Sequence, residues 1–167
     1  MISADGYTCV YGDHDFCTVD IYCNPTAALT LWGRLYSGFL LQGGSELCPT
    51  GWHIPSNSEW ESLTNFALSL DDASGESLMA NYAWQSGTGT NVTGFNALPG
   101  GWNAGPGSNA YTNTVYDGAG SEAHFMVDAF YTEEDAFGVR TLSESFNMSF
   151  TQGIPAQFAV SVRCIRD

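Results

Sequence analysis

Cys48-Pro49-Thr50-Gly51-Trp52-His53-Ile54-Pro55-Ser56-Asn57-Ser58-Glu59-Trp60 is the stretch on which the fold turns. Ser56 is a good N-cap, and Glu59 stands three residues later, where its carboxylate closes a capping box. Trp60, Leu63, Ala67 and Leu70 then recur at three- and four-residue spacing, which gives one apolar helical face. Asp71, Asp72 and Gly75 end the pattern. The spacing predicts a helix over 56–70, about four turns long, with Glu59 and Glu61 at its positive end. Trp60 and Leu63 are expected to pack it against a sheet.

Working outward, residues 29–41 are apolar and aromatic but broken by Gly33 and Gly38, so they read as core strand or short helix. Residues 1–23 read as short extended pieces with turns at Asp5-Gly6 and Gly12-Asp13. From 85 to 120 the chain is rich in Gly, Asn and Thr, with Phe95, Leu98 and Trp102 as apolar anchors. A stretch that long without periodicity is expected to be an ordered loop region packed on the core. Strands are predicted over 123–131, 136–142, 145–151 and 157–165, with an acidic turn at 132–135 and a tight connection at Ser143-Glu144. There is no internal repeat. The chain reads as one domain over 1–167, with 1–28 an N-terminal extension of the same unit.

The composition is 44% hydrophobic and 14% aromatic, far from that of a disordered chain. There is no Lys, and four Arg face eighteen carboxylates for a net charge of −14. That balance excludes a phosphate-backbone partner, which needs Lys and Arg, and argues against an anionic membrane surface. No run of about twenty apolar residues suggests membrane insertion. The first residues, Met1-Ile2-Ser3-Ala4-Asp5, lack the basic region and apolar core of a signal peptide. The chain is therefore expected to be a trimmed piece of a larger exported protein, or to reach the outside by another route.

Cys9, Cys17 and Cys23 are too loosely spaced for a CxxC metal or redox pair. Cys48 and Cys164 each sit in apolar sequence and are either bridged or two buried free thiols. Of the histidines, His14 lies between Asp13 and Asp15, His53 reads as structural, and His124 as a contact residue. No string marks a nucleophile elbow, a zinc protease or a phosphate loop. Trp32, Trp52, Trp60 and Trp84 read as anchors; Trp102, between Gly101 and Asn103, is the least settled.

The opening string from Cys48 to Ser56, with Glu59-Trp60 and Leu63, strongly resembles the signature of the Fibrobacter succinogenes major paralogous domain family. So do Thr93-Gly94-Phe95-Asn96-Ala97-Leu98-Pro99-Gly100-Gly101, the ending Ser161-Val162-Arg163-Cys164-Ile165-Arg166-Asp167, and upstream Gly33-Arg34-Leu35-Tyr36. Together they span nearly all of 32–167 in the family's order. The resemblance implies an α+β, C-type-lectin-like fold with about two helices, short antiparallel sheets and long irregular loops. Members are mostly exported in gut and rumen Bacteroidetes, and similar domains serve as variable binding proteins of diversity-generating retroelements, some carried by phages. One departure stands out: Phe125-Met126-Val127-Asp128 replaces the family's usual Trp-Trp-Ser-Ser. Either this stretch belongs to a binding face, or Phe125 and Val127 fill core. The calcium-binding strings of sugar-binding C-type lectins are absent, although oxygen-rich loops leave a structural calcium ion open.

The expected function is non-enzymatic recognition of a protein or glycan on a cell surface, by a domain placed extracellularly, on a cell surface or on a virion. The alternatives are a carbohydrate-active hydrolase using paired carboxylates and a structural or virion-assembly domain. The binding surface is expected on the late strands. Alternation with Phe125 and Val127 inward, and with Ala136 and Leu142 inward, selects His124, Asp128, Phe130, Phe137 and Val139, to which Tyr131 is added as an aromatic anchor and Asp135 as part of an acidic rim. Exposed aromatics there would anchor a partner, whereas burial of Phe130 and Phe137 is the bland alternative. Cys48, Trp52, Trp60 and Cys164 are assigned structural roles.

Overall fold

The computed structural model describes residues 8–9, 31–42, 47–70, 74–85, 87, 89–104, 116–143 and 147–167. Its first elements are β1 (Thr8–Cys9), β2 (Leu35–Ser37), α1 (Phe39–Gln42), β3 (Trp52–His53), α2 (Asn57–Leu70) and α3 (Ser74–Leu78). There follow β4 (Gly100–Asn103), β5 (Tyr116–Ala119), β6 (Glu122–Tyr131), β7 (Ala136–Ser143), β8 (Met148–Pro155), β9 (Ala159–Val160) and β10 (Ile165–Arg166). The turns at Asp5-Gly6 and Gly12-Asp13, His14, Cys17, Cys23 and the Asp71-Asp72 helix stop lie outside the described residues.

Helix α2 begins as its sequence dictates. The Ser56 backbone N–H and hydroxyl both donate to Glu59 Oε2, at 2.9 and 2.7 Å, and the Glu59 N–H faces Ser56 Oγ at 3.4 Å. Trp60 and Ala67 are buried and Leu63 is partly so, as the spacing predicts. Leu70 is not: half exposed at 50%, it falls off the buried face. The helix ends at Leu70, as read, and a separate short helix α3 at Ser74–Leu78 was not expected. Leu78, Met79 and Ala80 there are fully buried.

The strands form an eight-stranded sheet in the order β1-β2-β9-β4-β6-β7-β8, with β5 on β4, and a two-stranded sheet of β3 and β10. The expectation of short antiparallel sheets needs correction, because the large sheet is mixed: β4 runs parallel to β6 at Gly101 and Ala123. The architecture is α+β, with α2 and α3 on one face of that sheet and the short α1 on the other.

Both faces of the β6–β7 hairpin are covered. On the first, Phe125, Val127 and Leu142 pack under α2. Trp60 meets Phe125 at 5.4 Å and Phe95 at 5.8 Å between ring centroids, and Phe95 meets Phe125 at 5.5 Å. On the second, Met126, Phe137, Val139 and Val160 form another core, covered by Tyr36, Leu41, Ile54 and Phe158. Gly38 admits the Phe137 ring, with which any side chain at 38 would collide. One expectation falls here. Phe137 and Val139, taken as exposed binding residues, are buried at 0% and 2%, because the face opposite α2 is itself roofed. Of the two readings left open for the departure at 125–128, core is the one observed: Phe125 and Val127 point inward, as alternation had them, and only Asp128 of that string is exposed.

Of the two readings left open for the cysteines, the bridge is present: Cys48 and Cys164 are joined across 116 residues, with Cα atoms 5.8 Å apart. It fastens the segment entering β3 to the one entering β10. Trp52, by contrast, is 45% exposed, so its structural role is limited to pairing with Arg166 in the small sheet.

Trp60→Ala should destabilise the domain by about 3–5 kcal/mol, the usual cost of deleting a buried indole. Leu70→Ala, on the exposed flank of the same helix, should change stability by no more than about 0.5 kcal/mol. Denaturant unfolding of both variants checks the pair.

Candidate functional site

Where the second core thins out it leaves a groove of about 230 Å³ across β6, β7 and β8. Val139 and Val160 form its floor, and Ile154 and Phe158 its apolar walls. Trp102, carried on β4, lies flat on the Phe158 ring, with centroids 5.0 Å apart and planes 6° from parallel. The polar edge consists of His124, Thr141 and Thr151, which the alternation of three adjacent strands brings to the same face.

Hydrogen bonding fixes the state of His124. Its Nε2 is 2.9 Å from Glu122 Oε2, and a carboxylate can only accept, so Nε2 carries the proton. Nδ1 then accepts from the Thr141 hydroxyl at 3.1 Å. Burial holds the imidazole below its ordinary value of 6.5, against the opposing pull of Glu122 and Asp117. The groove therefore presents a neutral imidazole edge-on to Trp102, 6.3 Å away. An aromatic platform, an aliphatic floor and neutral hydrogen-bonding groups suit a ring or a planar side chain. The volume admits one such group rather than a drug-sized ligand.

Of the seven residues expected to bind, the structure brings His124 and Val139 into the groove, Val139 as floor. Phe130 is half-buried against the second core. Tyr131 and Asp135 sit at the far tip of the hairpin, where the Tyr131 hydroxyl donates to Gln152 Oε1 at 3.3 Å. Asp128 lies apart: its N–H donates to the Pro55 carbonyl, and its side chain borders a separate cavity of about 470 Å³ beside His53. Phe137 lies wholly beneath the surface. Trp102, Thr141, Thr151, Ile154 and Phe158 were missed. For Trp102 the signal was present, since a large ring after two glycines invites a surface platform. Among the described residues, no group of three or more His, Cys, Asp or Glu side chains is arranged to hold a metal ion, and no helix is long and apolar enough to cross a membrane.

The family model described as the Fibrobacter succinogenes major domain matches residues 7–166. The chain belongs to this family. No curated protein and no solved structure matches it.

In this Fibrobacter succinogenes major domain the signature histidine does structural work away from the groove. His53 Nδ1 faces Asp167 Oδ1 at 2.6 Å and Nε2 faces Glu59 Oε1 at 3.0 Å. Hydrogen bonds that its ring nitrogens donate to Asp167 and then to Glu59 raise its pKa above 6.5, favouring the imidazolium. Glu59 is in turn held below 4.5 by the Ser56 hydroxyl, the Ser56 N–H and His53. One cation thus ties the end of β10 to the first turn of α2.

The two histidines should respond oppositely to pH. His124 has its folded pKa depressed, so its stabilising share is complete above 6.5 and lost as pH falls from there through the folded value. His53 has its folded pKa raised, so its share is complete below 6.5 and lost as pH rises through the folded value. Thermal midpoints measured across the neutral range should keep only the acid-side loss in His53→Gln and only the alkaline-side loss in His124→Gln.

Proposed function

We propose that this domain is a non-enzymatic recognition module of C-type-lectin-like architecture, displayed outside the cell or on a virion, that seats its ligand over the Trp102 groove. The observation that carries this reading is the stacked Trp102–Phe158 pair beside a neutral, hydrogen-bonded His124. Aromatic rings fixed in this way offer large contact area at little entropic cost. The groove lining contains no carboxylate, so recognition rather than paired-carboxylate hydrolysis is the chemistry its side chains suit. The Cys48–Cys164 bridge supports exposure to an oxidising compartment. Helix α2 packed on a mixed sheet, with an irregular segment over 89–99 against the first core, supports the lectin-like arrangement. The reading extends to the variable binding proteins of diversity-generating retroelements. A reverse transcriptase gene nearby, with a second near-identical copy of this gene's 3′ end, is the arrangement that tests it.

A glycan array and a surface-protein screen, run beside a general glycosidase assay, test the proposal. Trp102→Ala should weaken the best-bound ligand by about 2 kcal/mol, the loss typical of an interface anchor, and, because its ring also packs on Phe158 and the second core, lower the thermal midpoint without unfolding the domain. Turnover abolished by removing one carboxylate would overturn the reading.

A further inference from the structure

Strand β8 ends the large sheet. Met148–Pro155 pairs with β7 along one side, and from Met148 to Ile154 its backbone makes no other hydrogen bond among the described residues. Exposed edges are usually blunted by charge, yet Met148, Ser149, Phe150, Thr151, Gln152, Gly153, Ile154 and Pro155 carry none, in a chain of net charge −14. One protective device is present. The register with β7 slips between Thr151 and Ile154, and Gly153 takes a φ of 77°, which a bulge there accommodates. The flat, open part of the edge is therefore the stretch from Met148 to Thr151. Just past the bulge, Glu134 approaches Gly153, and Glu133 and Asp135 are exposed beside it.

We infer that β8 accepts an extended segment of another protein as a further strand, one that bears Lys or Arg where it passes the 133–135 turn. The inference rests on the recognition reading and names its ligand class. Backbone pairing along 148–151 supplies affinity, and alternate side chains of the added strand supply specificity. Thr151 and Ile154 belong both to β8 and to the groove, so a side chain of the added strand on that face lies against the groove's outer wall, while Trp102, on β4, stands three strand spacings, or about 14 Å, further in than β8. Charge decides against a second copy of this chain as the occupant. Two molecules of net charge −14 would repel, and each would bring its own bulge to the junction. A basic segment gains from the same field and from the carboxylates at the hairpin tip.

The test uses synthetic extended peptides of alternating Val and Thr with one aromatic residue, ending in Lys-Arg or in Glu-Glu. Binding is read by fluorescence polarisation, and β8 amides by hydrogen exchange. The Lys-Arg peptides should bind, slow exchange at Met148–Thr151, and weaken with salt; the Glu-Glu peptides should not bind. Methylating the backbone nitrogens on one edge of the peptide, or introducing Ser149→Lys together with Gln152→Lys at exposed edge positions, should weaken binding about tenfold or more, as expected for loss of one or two net hydrogen bonds or of the charge match. Insensitivity to N-methylation, absence of peptide binding, or β8 protection caused by self-association would each overturn the inference. If glycans bind through Trp102 while no peptide protects β8, the recognition reading stands and the edge inference fails. If peptides protect β8 with Trp102→Ala silent, the edge stands and the groove reading fails.

Discussion

Trp60, Phe95 and Phe125 come from the first turns of a helix, the middle of a loop and the heart of a strand, and their rings meet at 5.4 to 5.8 Å. Each pair is worth about 0.5–1.5 kcal/mol beyond the area it buries, but the larger effect is geometric. Seating Phe125 against Trp60 fixes which face of β6 looks at α2. Arg163 then closes over Phe95, its guanidinium 5.0 Å from the ring centre and its Nη2 donating to the Asn96 carbonyl at 3.1 Å. The adjoining Cys164 bridges to Cys48. The family's separate sequence strings are therefore one packing unit, converging on the underside of the helix.

Once β6 is committed in this way, its alternate residues must face elsewhere, and Met126 does so into a second core with Phe137 and Val139. A sheet buried on both faces has little surface left for binding. What remains is the groove at the border of the second core, the open side of β8 and the hairpin tip. The proposed recognition falls on these margins because the interior is occupied by the aromatic contacts that hold the fold.

This arrangement explains what the sequence could and could not reveal. The capping box and the face of α2 are local chemistry, so Ser56, Glu59 and Trp60 announced themselves. Alternation correctly sorted Phe137 and Val139 away from Ala136 and Leu142, but alternation names faces, not what covers them. Their roof comes from Gly38, Leu41, Ile54 and Phe158, between 19 and 101 residues distant by chain number. Phe158 was hidden for a second reason: the stretch predicted as one strand over 157–165 is split into β9 and β10, which belong to different sheets. Trp102 needed knowledge of which ring it would lie upon. Its partner was the residue the strand prediction had obscured.

Asp128 shows how irregularity redistributes the residues expected to share one face. Between Val127 and Phe130 strand β6 carries extra residues against β7, and between Thr151 and Ile154 strand β8 does the same from the other side. Both insertions flank the same stretch of β7, around Phe137 to Val139. The first lifts Asp128 out of the ladder, its N–H bonding to Pro55 instead of to β7, and returns Phe130 to the second core. The second bends the edge beside Glu134. Because bulges sharpen the local bend and twist, the tip carrying Tyr131 and Asp135 leans toward β8, where the Tyr131 hydroxyl finds Gln152. Residues chosen for one surface are thus dealt to the groove, the tip and the cavity beside His53, with Phe130 and Phe137 drawn into the second core. The tip and the groove are reunited only along the edge of β8, which touches both.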